Sequence, residues 1–235
     1  MDIKLLAIAG IMITVLIGCH GDDSVELQTF EDSGLYQSND LIMLIDGTKP
    51  PFNHPFILKE FNSQNVWVAD AVVDTDAHGI RTKSLTYINN GEFSHEPQST
   101  ITVSFYQGNV IIFADFNQFN RGLNIQNLSK IKDTLPLFDI VGNHINSNGY
   151  NLKIENDGSF FENESNSCVI EGNLTRNDFY FNVKAKVSNC TGEYTTANND
   201  NYKGVLMTAN INGKKQIESI IINNNHILTD TFPNN

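Results

Sequence analysis

Along most of the chain, apolar and polar residues alternate with a period of two, the pattern of strands that bury one face and expose the other. Phe179 to Val187 is the clearest run: Phe179, Phe181, Val183, Ala185 and Val187 fall on one side, and Tyr180, Asn182, Lys184, Lys186 and Ser188 on the other. Thr100 to Tyr106 repeats it, with Ile101, Val103 and Phe105 sharing a face. Further runs at 40–46, 55–61, 66–73, 80–88 and 110–116 are separated by Asn-, Gly- and Pro-rich turns, so the first half reads as an antiparallel meander. A second set follows at 137–145, 150–155, 159–162, 169–174, 179–187, 203–211, 214–222 and 226–231. Asn156-Asp157-Gly158 and Asn212-Gly213 supply residues that tolerate positive φ, as tight hairpins require.

The expected class is therefore all-β. Eight strands in hairpin order with one apolar face fit a closed up-and-down barrel in the C-terminal half, because closure removes exposed edges; a two-sheet sandwich is the alternative. Between the halves, Leu128, Ile131 and Leu135 stand at helical spacing before Pro136, which predicts a short helix or turn. The expected organisation is 39–120 for an N-terminal β region, 121–136 for a linker and 137–235 for the barrel-like domain.

The N-terminus breaks the pattern. Lys4 precedes an apolar run from Leu5 to Ile17, interrupted only by Gly10 and Thr14. A span of about thirteen residues is short for a bilayer, which needs roughly twenty, but suits the apolar region of a secretory signal. It ends in Leu16-Ile17-Gly18-Cys19, which looks like a bacterial lipobox. On that reading residues 1–18 are a signal peptide, Cys19 carries the lipid, and 19–38, with Asp22, Asp23, Glu26, Glu31 and Asp32, form an acidic tether. His20 stands where an aspartate marks inner-membrane retention, so the expected location is the outer membrane, with the domain in the periplasm or at the cell surface. An ordinary signal peptide with a chance cysteine, or an uncleaved anchor, are the alternatives.

Charge and chemistry narrow the function classes. A net charge of −12 argues against nucleic acid and anionic headgroups as partners. The loop Asp74-Thr75-Asp76-Ala77-His78-Gly79 superficially resembles a calcium loop, but Leu85 stands where the bidentate glutamate belongs. The histidines at 20, 54, 78, 95, 144 and 226 are scattered singly and read as surface or loop residues. Glu155 with Asp157, and Glu162 with Glu164, lie beside turns and read as solvated. Trp67, between Val66 and Val68, reads as core, and Lys184 and Lys186 as a solubilising face. There is no Gly-x-Ser-x-Gly elbow and no phosphate loop, so no catalytic residue, metal site or cofactor is expected.

With Cys19 taken by lipid, Cys168 and Cys190 form an even pair in an oxidising compartment, which predicts a disulfide. A hairpin turning at Thr175-Arg176-Asn177-Asp178 would set Cys168 opposite Ala185, too far from Cys190 for a bond. A bulge, a longer turn or a fold-back at Ser188-Asn189-Cys190 would be needed; two free thiols or a metal site are the alternatives.

Gly142-Asn143-His144, Asn156 to Phe160, Cys168 to Leu174, Asp178 to Val187, Ser188-Asn189-Cys190 and Gly192-Glu193-Tyr194 follow one another in an order and spacing that resembles a family of uncharacterised Gram-negative lipoproteins. Asp76 to Arg81 looks like that family's N-terminal aspartate-glycine-arginine turn with His78 inserted. His144 in place of an aromatic, and the long Thr195 to Tyr202 stretch, depart from it. The resemblance implies a calycin-type barrel, the paired-cysteine hairpin and an envelope location, and brings no catalytic residues. The expectation is a non-enzymatic, lipid-anchored binding or structural module whose partner is a protein or a small apolar ligand. A lipocalin-like carrier, or an inhibitor or immunity-type protein, are the alternatives.

Overall fold

The computed structural model describes residues 30–47, 54–61, 63–106, 109–116, 119–125, 128–163 and 168–234; Cys19, the expected signal peptide and the first part of the expected tether lie outside them. Among the described residues the regular elements are strands and two short 3-10 turns, Leu137–Asp139 and Gly192–Ala197. The first sheet comprises β1 (Gly34–Gln37), β2 (Leu41–Ile45), β3 (Phe56–Glu60), β4 (Val66–Thr75), β5 (Gly79–Asn89), β6 (Glu92–Tyr106), β7 (Asn109–Phe116), β8 (Phe119–Ile125) and β9 (Ser129–Lys130). Its order is β8-β7-β6-β5-β4-β3-β2-β1-β9, with every pair antiparallel.

This sheet curls into a half-barrel. Tyr36 on β1 and Phe105 on β6 sit far apart in the strand order, yet their rings are 5.1 Å apart, and Phe30 closes on Phe105 from the same side at 6.0 Å. Met43, Ile45, Phe56, Leu58, Leu85, Ile101, Val103 and Ile112 fill the concave face, with Trp67 packed against them as expected of a core residue. Bulges at Val72/Asp74 and Lys83/Leu85 tighten the curl, Ser84 taking φ of 62°.

The second sheet comprises β10 (Gly142–Ile145), β11 (Asn151–Ile154), β12 (Ser159–Asn163), β13 (Val169–Asn177), β14 (Tyr180–Ser188), β15 (Asn199–Ile211), β16 (Lys214–Ile222) and β17 (Ile227–Pro233), paired strictly in chain order. It is the up-and-down barrel and not the sandwich: β10 and β17 meet at a seam joined by side chains. Asn146 donates to Asp230 at 3.4 Å and Asn234 donates to the Asp139 carbonyl at 3.3 Å. His144 faces the carbonyls of Ile140 at 2.8 Å and Pro233 at 3.1 Å, one with each ring nitrogen. Phe160, Phe181, Tyr202 and Phe232 fill the interior with Leu152, Ile170, Val183, Leu206 and Ile217. The ring of Phe160 lies over Gly172, where a Cβ would sit 2.6 Å from it and against the Lys184 carbonyl, so only glycine fits.

Two expectations are corrected here. The 121–136 stretch is not a helical linker: β8 and β9 lie within or across it. Leu128, Ile131 and Leu135 share no helix face but anchor successively in the first core, the contact between the sheets and the barrel core. Likewise 19–38 is not all tether, since Phe30 is buried and β1 forms at Gly34–Gln37.

Cys168 and Cys190 are bonded, with Cα atoms 4.1 Å apart. The hairpin does not turn at Thr175 to Asp178. β13 runs on to Asn177, paired with Tyr180, so Val169 faces Ser188 and Cys190 lies one position beyond the residue opposite Cys168. Asn189, at φ of 60°, bends the chain back to close the bond. Asn198 secures this end by accepting from the Cys190 amide at 2.9 Å and donating to the Cys190 carbonyl at 3.2 Å. Replacing both cysteines by alanine is expected to cost about 3 kcal/mol, the chain-entropy value for a closed loop of this size. A urea titration of the pair variant against the parent measures it.

Candidate functional site

The most elaborated region is the junction where the two sheets pack face to face. Leu35, Ile42, Leu44, Ile57, Val66 and Val68 on the convex side of β1 to β4 meet Phe179, Tyr180, Val205, Met207, Ala209, Ile220, Ile222 and Ile227 on the outside of β14 to β17, all buried. This contact explains a departure from simple alternation. Tyr180 and Asn182, read as outward and polar, do point out of the barrel, but into the neighbouring sheet, at 0% and 8% exposure.

Polar groups inside the contact are paired across it. Lys59 of β3 meets Glu218 of β16, both essentially unexposed, and Thr231 of β17 joins them, donating to Glu218 at 2.8 Å while accepting from Lys59 at 2.9 Å. Glu218 Oε1 has no hydrogen-bond donor among the described residues. Farther along, the Tyr180 hydroxyl donates to Asp46 at 3.0 Å and Asn177 donates to the same carboxylate at 3.3 Å. Burial, then the Asp46 charge, hold the Tyr180 hydroxyl well above its ordinary titration range, so it remains a donor. Arg176 caps the edge by donating to the Thr134 and Leu135 carbonyls at 2.8 and 3.1 Å.

A second polar group lies on the convex face of the first sheet. Ser84 donates to Asp70 at 2.5 Å, His54 Nδ1 lies 3.3 Å from the same carboxylate without good alignment, and Thr86 contacts His95 at 2.8 Å. Partial burial pushes the Asp70 carboxyl up, but the His54 and Ser84 contacts and the charges of His54 and His95 outweigh it and hold it below the usual carboxylate range. Asp70 stands between the serine and the histidine, so Ser84 donates to a carboxylate and not to an imidazole, which is not the Ser-His-Asp order.

Apart from the Cys168–Cys190 pair, the residues singled out from sequence make local contacts and do not converge on one site. Asp76 accepts from the His78 amide at 2.9 Å in the β4–β5 turn. His78 itself reaches Asp32 at 2.9 Å, a contact that raises the imidazole above its ordinary value. Glu155 pairs with Lys153 at 2.5 Å, and Asp157 accepts from Ser159, hydrogen bonds that lower its carboxyl. Two residues read as solvated are buried: His144 at the barrel seam, and Glu162, whose side chain points into the barrel at 1% exposure. Glu164 and Cys19 lie outside the described residues. Among the described residues no three His, Cys, Asp or Glu side chains converge in a metal-binding group, and no helix is long and apolar enough to cross a membrane. Searches of family models, curated proteins and solved structures gave no match.

Two outcomes test this electrostatic description. Lys59→Ala or Glu218→Ala leaves a buried charge uncompensated and is expected to cost 3–5 kcal/mol, to order of magnitude, whereas the double change Lys59→Met with Glu218→Leu is expected to be near neutral. Denaturant titration of the three variants distinguishes them. Because the Asp70 carboxyl is depressed on folding, its contribution is present above the unfolded carboxylate value and fades as pH falls through the folded one. Asp70→Asn should therefore destabilise at neutral pH by less than about 1 kcal/mol, given its partial exposure, and the gap to the parent should close in the acid range below about pH 4.

Proposed function

We propose that the chain is a lipid-anchored outer-membrane lipoprotein, held at Cys19, whose paired β units form a non-catalytic binding or structural module. The observation that carries this reading is the packing of the barrel. Its interior is filled by Phe160, Phe181, Tyr202 and Phe232, which favours recognition on the outer surface over carriage of a small apolar ligand inside. The junction supports it further, since two sheets joined over an apolar contact with hydrogen bonds across it present a fixed surface to a partner. The Leu16-Ile17-Gly18-Cys19 pattern and the resemblance to Gram-negative lipoproteins support the anchor. The buried Cys168–Cys190 bond suits an oxidising envelope compartment. The net charge of −12 weighs against nucleic acid as the partner.

Intact mass of the membrane-extracted protein tests the anchor. The expected mass lacks residues 1–18 and includes acyl chains, with Cys168 and Cys190 refractory to alkylation until reduction. An uncleaved chain, or one cleaved without acylation, would sink the reading.

A further inference from the structure

Where the two sheets meet at the far end of β1, Gln37, Ser38, Asn39, Ser129, Ile131 and Asn210 line an open surface cleft of about 390 Å³, within the range of small-ligand sites. Its floor is fixed by Gln37, whose amide donates to the Asn210 carbonyl while its oxygen accepts from the Asn210 amide at 3.3 Å, tying β1 to β15. Ser38 is engaged with the Asp40 amide at 3.2 Å. The side chains of Asn39, Ser129 and Asn210 are exposed and make no hydrogen bond among the described residues.

The chemistry of this wall is specific. Carboxamides and hydroxyls offer donors and acceptors together, and no ionised side chain lines the cleft, so a charged ligand would meet no counter-charge. Half-buried Ile131 adds one apolar surface. An added peptide strand would need a long unpaired backbone edge, but the amide and carbonyl of Asn210 are held by Gln37, its strand position is paired with Lys215, and β9, the end strand beside it, is only two residues long. We propose that the cleft binds an uncharged saccharide, whose hydroxyls match the amide and serine groups and whose C–H face meets Ile131. This deepens the reading of the chain as an anchored binding module. The described chain enters at the other end of the first sheet from the cleft, where the Glu31 amide donates to the Ala77 carbonyl.

The full chain, purified in detergent micelles, would be screened on an array of neutral oligosaccharides, with acidic glycans and an uncharged Gly-Ser peptide as comparators. Titration calorimetry with the best neutral glycan would follow. Saturable binding in the millimolar to sub-millimolar range is expected. It should weaken at least tenfold in Asn39→Ala with Asn210→Ala, two exposed side chains whose loss leaves the melting temperature unchanged. Absence of binding to every neutral glycan, a preference for acidic glycans or the peptide, or full binding by the double variant would overturn the proposal. Cys19→Ser separates the two readings: it is expected to release the protein from membranes while saccharide binding persists. Failure of acylation with binding intact would sink the anchor alone.

Discussion

The architecture depends on one contact, the apolar face shared by β1 to β4 and β14 to β17. Each sheet curls around its own core, and each then has a second apolar face that water would otherwise cover. Burying these faces together removes aliphatic surface that the halves would expose apart, including Ile42, Leu44, Ile57, Val205, Met207 and Ile220. An apolar contact alone is permissive about angle and register. Lys59 with Glu218, and Asp46 with Tyr180, are not, because sliding either pair apart would strand a charge in a dry environment. The ion pair and the hydrogen bond to the Asp46 carboxylate thus select one arrangement from those that the apolar contact allows.

That constraint propagates outward. The same registration lets Gln37 meet the backbone of Asn210 and brings Ser129 beside them, three residues from different elements. It also gives β14 and β15 two buried faces, so their side chains divide between barrel interior and junction. Phe181, Val183 and Leu206 turn inward, while Tyr180, Val205 and Met207 turn toward the first sheet.

How much of this was legible in the sequence follows from the range of the forces involved. Period-two alternation and Asn-Gly turns are local, and they located β2 to β5, β7, β11 to β14, β16 and β17 closely; β6 begins eight residues before the alternation shows it and β15 four, and β10 begins only at Gly142, after a 3-10 turn. β1, β8 and β9 were missed because they are short or broken by polar residues and glycine, and they form by pairing with a neighbour rather than by their own pattern. The spacing of Leu128, Ile131 and Leu135 mimicked a helix because three cores lie a few residues apart along an extended chain. The cysteine count foresaw the Cys168–Cys190 bond, but its geometry depended on where the hairpin turned, which Asn177 and Asp178 did not announce. The junction was not readable at all: Lys59 and Glu218 are 159 positions apart, and each alone reads as an ordinary surface charge.

The strand order has a consequence for assembly. In both sheets nearly every strand hydrogen-bonds to the one that precedes it in the chain, so pairing can advance as successive hairpins emerge, without waiting for distant segments. Among the described residues the events that need late arrivals are β9 returning to β1, the curl that brings Phe105 to Tyr36, β17 reaching β10, and the closing of one sheet on the other. A polypeptide threaded N-terminus first through a membrane pore could complete most of its pairing on the far side before its last strand arrived. The exposed aliphatic face of the first sheet would then be the surface most in need of a chaperone during that interval.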